Sequence, residues 1–395
     1  MKGISLLGST GSIGRSTLEI IRRHPDRFTV AALTAGNNVQ LLKSQIKEFA
    51  PGYVSVLTER AAQELRRSIR GRLEIGFGAI GASVAAAASG ADIVVSAISG
   101  AAGLVPTMAA IRAGRDVALA NKETLVMAGE CVMREVKKRR IRLMPVDSEH
   151  SAVFQALEGH RRQDVRKVIL TASGGPFLKT PLKRLKEVTP GQALNHPKWR
   201  MGRKISIDSA TLVNKGLEVI EAHWLFDMPA PQISVVMHPQ CVVHSMVEYI
   251  DGSIVAQMGP PDMKGPIAYA LSYPERIDSG APELDLRGLC LEFTEPDPKR
   301  FPCLELARGA LKAGGVMPAV MNAADEVEVD AFLKGSIGFT GIHRVIANTL
   351  DATAPSKADT IDGIIEADLM ARETAKGFIA KMQGNKCYRS TVIGY

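Results

Sequence analysis

Residues 8–14 (GSTGSIG) stand between an apolar run at 4–7 (ISLL) and an amphipathic stretch at 12–23. A strand that passes into a helix through such a turn commits the chain to a β-α unit. Glycines let the turn tighten and the backbone close on a pyrophosphate, whose charge then faces the unpaired N–H groups of the helix start. The spacing is G-x-x-G-x-x-G, not the commoner G-x-G-x-x-G, so the position at the first β-α junction carries the dinucleotide reading. Gly8, Ser9, Thr10, Gly11, Ser12 and Ile13 are the candidate cofactor contacts.

The same alternation continues: FTVAAL (28–33), a helix at 39–49, YVSVL (53–57), a helix at 59–69, ADIVVSA (91–97), a helix at 103–113, DVALA (116–120), a helix at 123–138 and IRLMPV (141–146). Continuous apolar strands parted by helices predict a parallel sheet covered on both faces, a doubly wound Rossmann-like α/β domain over 1–147. From 148 the rhythm changes to VRKVILTAS (165–173), ISVVMH (233–238), CVVHSMVEYI (241–250) and SIVAQM (253–258), the last two joined at Asp251-Gly252 as a hairpin. We expect a central α+β domain over 148–272, a proline-rich and acidic linker over 273–302, and a helical domain over 303–395.

Composition excludes several classes. The net charge of +8 is mild, and its densest run, REVKKRRIR (134–142), reads as the cation-favoured end of a helix, so no nucleic acid is expected. The five cysteines are widely separated and odd in number, as in reduced cytosolic thiols. Residues 91–111 are long enough to cross a bilayer, but Asp92, glycine breaks and Pro106 make them a strand, turn and helix; no membrane partner is expected. Met1 runs directly into ISLLG without a leader-like stretch, and we expect a cytoplasmic protein.

Several segments carry chemistry. The region after the second strand, Thr34-Ala35-Gly36-Asn37-Asn38, lacks the carboxylate that holds the ribose 2′-hydroxyl of NAD, which favours NADP. Asp147-Ser148-Glu149 ends a strand. In extended backbone the two carboxylates share a face and can meet one hard cation; alternatively the segment is a helix N-cap. Asp208, Ser209, Asn214, Lys215 and Glu218 gather within eleven residues. If 211–226 is helical, Lys215 and Glu218 form an i, i+3 pair, either a surface salt bridge or part of a phosphate and metal site. Ser173-Gly174-Gly175 offers a backbone nest for an anion, or a simple turn. HPKWRMG (196–202) is a loop with an amphipathic tryptophan, a lid or a surface staple. Lys122, after DVALA, reaches the nicotinamide end of the crevice, and neither His238 nor His244 is assigned to a metal.

Together with AGNNV (35–39), LANKET (119–124), PVDSEHSAVFQAL (145–157), TASGGPF (171–177), HPKWRMGRKISIDSATLVNKGLEVIEA (196–222) and HPQCVVHSMVEY (238–249), these stretches closely resemble the 1-deoxy-D-xylulose 5-phosphate reductoisomerase family across nearly the whole chain. The resemblance implies a homodimer with an NADPH domain, a catalytic domain and a C-terminal helical bundle. It implies one Mg²⁺, Mn²⁺ or Co²⁺ on Asp147, Glu149 and Glu218, and substrate contacts from Lys122, Ser148, Glu149, Ser173, His196, Ser209, Asn214, Lys215 and Glu218. Cofactor contacts extend to Gly36, Asn37, Asn38, Asn121, Glu123 and Gly202. Lys122, Glu149, His196 and Trp199 become the catalytic group, with 196–201 as a mobile lid. The family often has Lys or Arg where Asn37 stands, and Ser where Cys241 stands.

The implied reaction rearranges 1-deoxy-D-xylulose 5-phosphate by retro-aldol cleavage and re-addition to an aldehyde, which NADPH reduces to 2-C-methyl-D-erythritol 4-phosphate. Two other readings use the same residues differently. A metal-assisted NADP dehydrogenase keeps the glycine turn and carboxylates without an isomerase step, and a non-catalytic dinucleotide sensor has no use for three acids.

Overall fold

The first strand, β1 (Lys2–Leu7), is buried over residues 3–7 and runs through the glycine turn into α1 (Ser12–Arg23). A computed structural model describes residues 1–69, 71–199 and 201–392, with side chains to 383; Arg200, in the expected lid, and the Cys387 thiol lie outside the described residues. The β-α step repeats through β2 (Phe28–Ala35), α2 (Val39–Phe49), β3 (Tyr53–Val56), α3 (Glu59–Ser68), β4 (Glu74–Phe77), α4 (Gly78–Ala86), β5 (Ile93–Ser96), α5 (Leu104–Arg112), β6 (Asp116–Leu119), α6 (Glu123–Arg139), β7 (Leu143–Pro145) and α7 (Ser148–Leu157). β4 and α4 have no counterpart among the elements expected from the sequence. Lys137, Lys138 and Arg139 occupy the last turn of α6, as the charge run predicts. Residues 91–111 resolve into β5, a short 3-10 turn and α5, and no helix among the described residues is long and apolar enough to cross a membrane.

All seven strands run parallel in the order β4-β3-β2-β1-β5-β6-β7. The order reverses between β1 and β5, the switch point at which such sheets leave a crevice beyond their carboxyl ends. At the turn, Gly8 has φ +91°, and a Cβ on Gly14 would lie 2.3 Å from the Gly8 carbonyl oxygen. Glycine at both positions lets α1 start directly over the end of β1.

The chain then builds β8 (Val165–Ala172), α8 (Pro190–Ala193), α9 (Arg203–Thr211), α10 (Val213–Leu225), β9 (Ile233–Met237), β10 (Val243–Tyr249) and β11 (Ile254–Met258). The second sheet has the order β11-β10-β8-β9, with β8 antiparallel to β10 and parallel to β9. β10 and β11 are neighbours joined through Asp251-Gly252, as the hairpin reading required. One expectation fails: 211–226 is not one helix, because Leu212 at φ +57° separates α9 from α10. After α11 (Lys264–Ser272) the chain finishes with α12 (Pro302–Ala313), α13 (Met317–Leu333), α14 (Ile342–Asp351) and α15 (Ile361–Val392).

Two compact units emerge. One comprises 1–124, 132–159 and 257–285, the other 125–131, 160–256 and 286–395. The break lies elsewhere than at the sequence-based boundaries, because α11 returns to pack beside α1 and α7 and gives Ile267 and Leu271 to the core of the first unit. The core of the second unit joins Phe177, Ile207 and Leu217 to Phe332 and Ile346. Burying each such side chain contributes roughly 1.5–3 kcal/mol.

Candidate active site

Because every strand of the first sheet is parallel, the loops after β1, β2, β5, β6 and β7 share one edge. The glycine turn is held there by backbone partners. Gly8 donates its N–H to Thr34 Oγ1 at 2.8 Å, and Ser9 donates its N–H to the Thr34 carbonyl at 2.7 Å. The Ser9 hydroxyl is fully buried and donates to Gln45 Oε1 at 2.7 Å, while Gln45 Nε2 donates back to the Ser9 carbonyl at 2.9 Å. Ser9 therefore builds the turn from inside, whereas Gly11 and Ser12 are exposed at the start of α1. Gly11, the N-cap, brings no side-chain cap, so the first N–H groups of α1 can meet an anion.

At the end of β2, Gly36 and Asn37 are exposed, and Asn38 caps α2 by accepting the Leu41 N–H at 3.1 Å. Asn121, after β6, is buried. Its Nδ2 donates to the carbonyls of Ile98 at 2.6 Å and Gly100 at 3.0 Å and to Glu123 Oε2 at 3.0 Å, and its Oδ1 accepts from Thr124 N–H. The Asn121 amide thus shapes the loop after β5.

Beside it, Lys122 Nζ lies 2.6 Å from Asp147 Oδ2, with both side chains nearly buried. Burial alone raises the Asp147 carboxyl, but the Lys122 ammonium and the neighbouring His150 outweigh it and hold the group well below the usual carboxylate range. Asp147 is the N-cap of α7, accepting the Glu149 N–H at 3.3 Å. This corrects the extended arrangement expected for Asp147 and Glu149: the chain has already turned into helix, and Glu149 sits in its first turn. Ser148 Oγ donates to Glu149 Oε2 at 2.5 Å.

In the second unit, β8 ends in the turn of Ser173, whose hydroxyl accepts the Gly175 N–H at 3.1 Å and lies 2.9 Å from His196 Nε2. His196 Nδ1 accepts the N–H groups of Lys198 at 3.2 Å and Trp199 at 2.9 Å, so the proton belongs on Nε2, which donates to Ser173. Burial lowers the His196 pKa and favours this neutral form. The Trp199 indole lies 6.4 Å from the His244 ring, centroid to centroid, and Gly202 is the N-cap of α9. A Cβ on Gly175 would meet Ala210 Cα at 2.8 Å and the Ser209 carbonyl at 3.1 Å, so the Ser173 turn rests directly on the helix that carries Ser209. In the first turn of α10, Asn214 Nδ2 donates to Glu218 Oε1 at 2.5 Å, and the Lys215 ammonium donates to Glu218 Oε2. Lys215 and Glu218 are buried, which removes the surface salt-bridge reading.

Family models match the chain in three stretches: "1-deoxy-D-xylulose 5-phosphate reductoisomerase" over residues 4–129, its "C-terminal domain" over 143–226, and "DXP reductoisomerase C-terminal domain" over 258–374. A 1-deoxy-D-xylulose 5-phosphate reductoisomerase of Geobacter metallireducens is 61% identical over 96% of this chain and 99% of its own length. That of Prosthecochloris aestuarii is 58% identical over 95% and 99%. The chain belongs to the 1-deoxy-D-xylulose 5-phosphate reductoisomerase family. A reductoisomerase of Zymomonas mobilis, solved in complex with NADPH, shares the fold with a TM-score of 0.90 and 45% identity over 96% of this chain and 99% of that one. A reductoisomerase solved with NADPH, fosmidomycin and magnesium gives 0.94 and 42% over 97% and 99%.

Within this reductoisomerase fold the expected residues fall into groups. The first unit brings Lys122, Asp147, Ser148 and Glu149 together beyond β6 and β7, on the edge that also carries the glycine turn. The second joins Ser173 to His196, sets that turn on the helix of Ser209, and gathers Asn214, Lys215 and Glu218. Thr34, Gln45 and His150 were not singled out from sequence. Thr34 and Gln45 support the turn from elements far along the chain, and only the i, i+3 spacing of His150 from Asp147 offered a local sign.

Proposed function

We propose that this chain is a homodimeric, NADPH- and divalent-metal-dependent 1-deoxy-D-xylulose 5-phosphate reductoisomerase, acting in the cytoplasm on a sugar phosphate to supply an isoprenoid precursor. The observation that carries it is Asp147, a nearly buried carboxylate kept ionised at the carboxyl edge of the sheet that builds the dinucleotide turn.

The residues fit both groups. The first N–H groups of α1 suit the pyrophosphate, with Thr10, Gly11, Ser12 and Ile13 against it and Gly36, Asn37 and Asn38 toward the adenosine end. Asn121, Glu123 and Gly202 complete the cofactor set. Asp147, Glu149 and Glu218 are hard oxygen donors suited to Mg²⁺, Mn²⁺ or Co²⁺. When bound, the ion supplies Lewis-acid polarisation of the substrate oxygens, and NADPH supplies the hydride. Ser173, Ser209, Asn214 and Lys215 hold the phosphate, giving remote binding energy to the reacting end. Ser148 and Lys122 orient the carbon chain. The loop bearing His196 and Trp199 covers the substrate and excludes water while the bond between its carbons is cleaved and remade.

Pairing of two copies is supported by the segment before α12, where Leu286, Leu289, Leu291 and Phe293 are all more than a third exposed, and by the exposed Ile250 and Ile254 of the β10-β11 hairpin. The function is tested by following NADPH loss with 1-deoxy-D-xylulose 5-phosphate, with and without Mn²⁺, and again with NADH. Loss that needs the ion and the phosphorylated ketose is expected. NADPH consumption independent of either overturns the reading.

A further inference from the structure

Three carboxyls that the reaction does not use are buried in the second unit around one ammonium. Lys204, in the first turn of α9, donates to Asp208 Oδ2 at 2.6 Å on its own helix and to Asp325 Oδ2 at 2.5 Å on α13. Glu328 lies one turn beyond Asp325, and all three carboxyls are essentially buried, whereas the Lys204 side chain is one quarter exposed. A solvated surface pair contributes little, but here the ammonium is the cation facing acids that water does not reach, so its position is tightly specified. Burial pushes the Glu328 carboxyl well above its usual range, with the charges of Asp325 and Asp208 adding to the rise.

The tie sits where α9 bears on the phosphate grip. Asp208 precedes Ser209. The next residue, Ala210, is the one against which the Gly175 backbone of the Ser173 turn is packed. Beyond it the left-handed residue Leu212 leads into the turn of Asn214 and Lys215. A rotation of α9 about its axis therefore moves Ser209 relative to Ser173.

We propose that Lys204 is a positioning residue: by bridging Asp208 to Asp325 it fixes the rotation of α9 on α13, and with it the placement of Ser209 toward the substrate phosphate. This rests on the reading above that Ser209 holds that phosphate. The test compares Lys204→Met, Asp325→Val and Asp325→Asn with the parent enzyme. Lys204→Met and Asp325→Val are expected to raise KM for 1-deoxy-D-xylulose 5-phosphate, and Ki for inorganic phosphate as a competitor, by ~10-fold, since small misplacements of a binding group are amplified. kcat at saturation and the NADPH dissociation constant stay within about threefold. Asp325→Asn keeps an oxygen for the ammonium and restores KM, a rescue that general destabilisation does not produce. Ser209→Ala separates the two levels. If it leaves KM unchanged, the phosphate assignment fails; if it raises KM while folded Lys204→Met does not, the positioning role alone fails. Should Lys204→Met not fold, the double variant Lys204→Met/Asp325→Leu, which removes the cation with one of its acids, is judged by the same KM and Ki criteria.

Discussion

The Lys122 ammonium and the Asp147 carboxylate meet at 2.6 Å with almost no solvent between them and the protein. Removing one member of a buried pair of this kind costs about 3–5 kcal/mol, because the other charge is left without compensation. Lys122→Met is therefore expected to lower the denaturation midpoint and to reduce kcat/KM by ~10²-fold, since the same ammonium orients substrate. A variant with kcat/KM within a few-fold of the parent would sink the orienting role, and an unchanged midpoint would sink the structural one.

Glu218→Gln removes one charged donor while keeping its shape. NADPH binding, followed by fluorescence, should be retained, and turnover at saturating Mn²⁺ should fall by ~10² or more. Near-parental turnover would remove Glu218 from the metal set.

Gly14→Ala places a methyl 2.3 Å from the Gly8 carbonyl oxygen and 2.6 Å from the Ser9 backbone. Neither neighbour is a flexible side chain, so the turn and the start of α1 must separate, at a cost of about 1–3 kcal/mol. NADPH affinity, measured by titration calorimetry, is expected to weaken by ~10-fold. Unchanged affinity would place the pyrophosphate elsewhere.

His196 gives a pH prediction with a definite sign. Burial depresses its pKa in the folded chain below the ordinary value of about 6.5. Between those two values the unfolded chain takes up a proton that the native chain refuses. The stabilisation is thus complete above about pH 6.5 and is lost as pH falls through that value toward the folded pKa. Urea midpoints at pH 7.5 and 5.5 should drop less in His196→Gln than in the parent. Equal drops in the two proteins would contradict it.

A charge placed on the exposed apolar segment tests the assembly. The parent is expected to sediment as a dimer and the double variant Leu291→Asp/Phe293→Asp as a monomer, with its circular dichroism unchanged. A dimeric variant would locate the pairing surface on other residues.

Helices whose apolar spacing is strong, α1 and α2, are legible to their last residue, and so is the hairpin at Asp251-Gly252. β4 and α4 are not. β4 is a four-residue edge strand with half-exposed side chains, and α4 is so rich in alanine and glycine that it shows no polar face. The Asp147 turn was ambiguous for a physical reason: the residues that suit two carboxylates in extended backbone also suit a helix N-cap with an acid in the first turn. The break at Leu212 left no trace, because a leucine rather than a glycine takes the left-handed position. The chemistry-bearing residues were readable as local clusters. Partnerships such as Ser173 with His196 and Lys204 with Asp325 join distant segments, and no local spacing rule reaches them.

The return of α11 to the first unit sets a schedule for biosynthesis. Ile267, Ala268, Ala270 and Leu271 belong to the core beneath the parallel sheet, yet they leave the ribosome only after β8 to β11 have been made. A nascent chain that has emerged through α7 thus carries all seven strands but lacks its closing helix. It exposes apolar surface until translation has run well past the middle of the message, the interval in which a chaperone has most to shield.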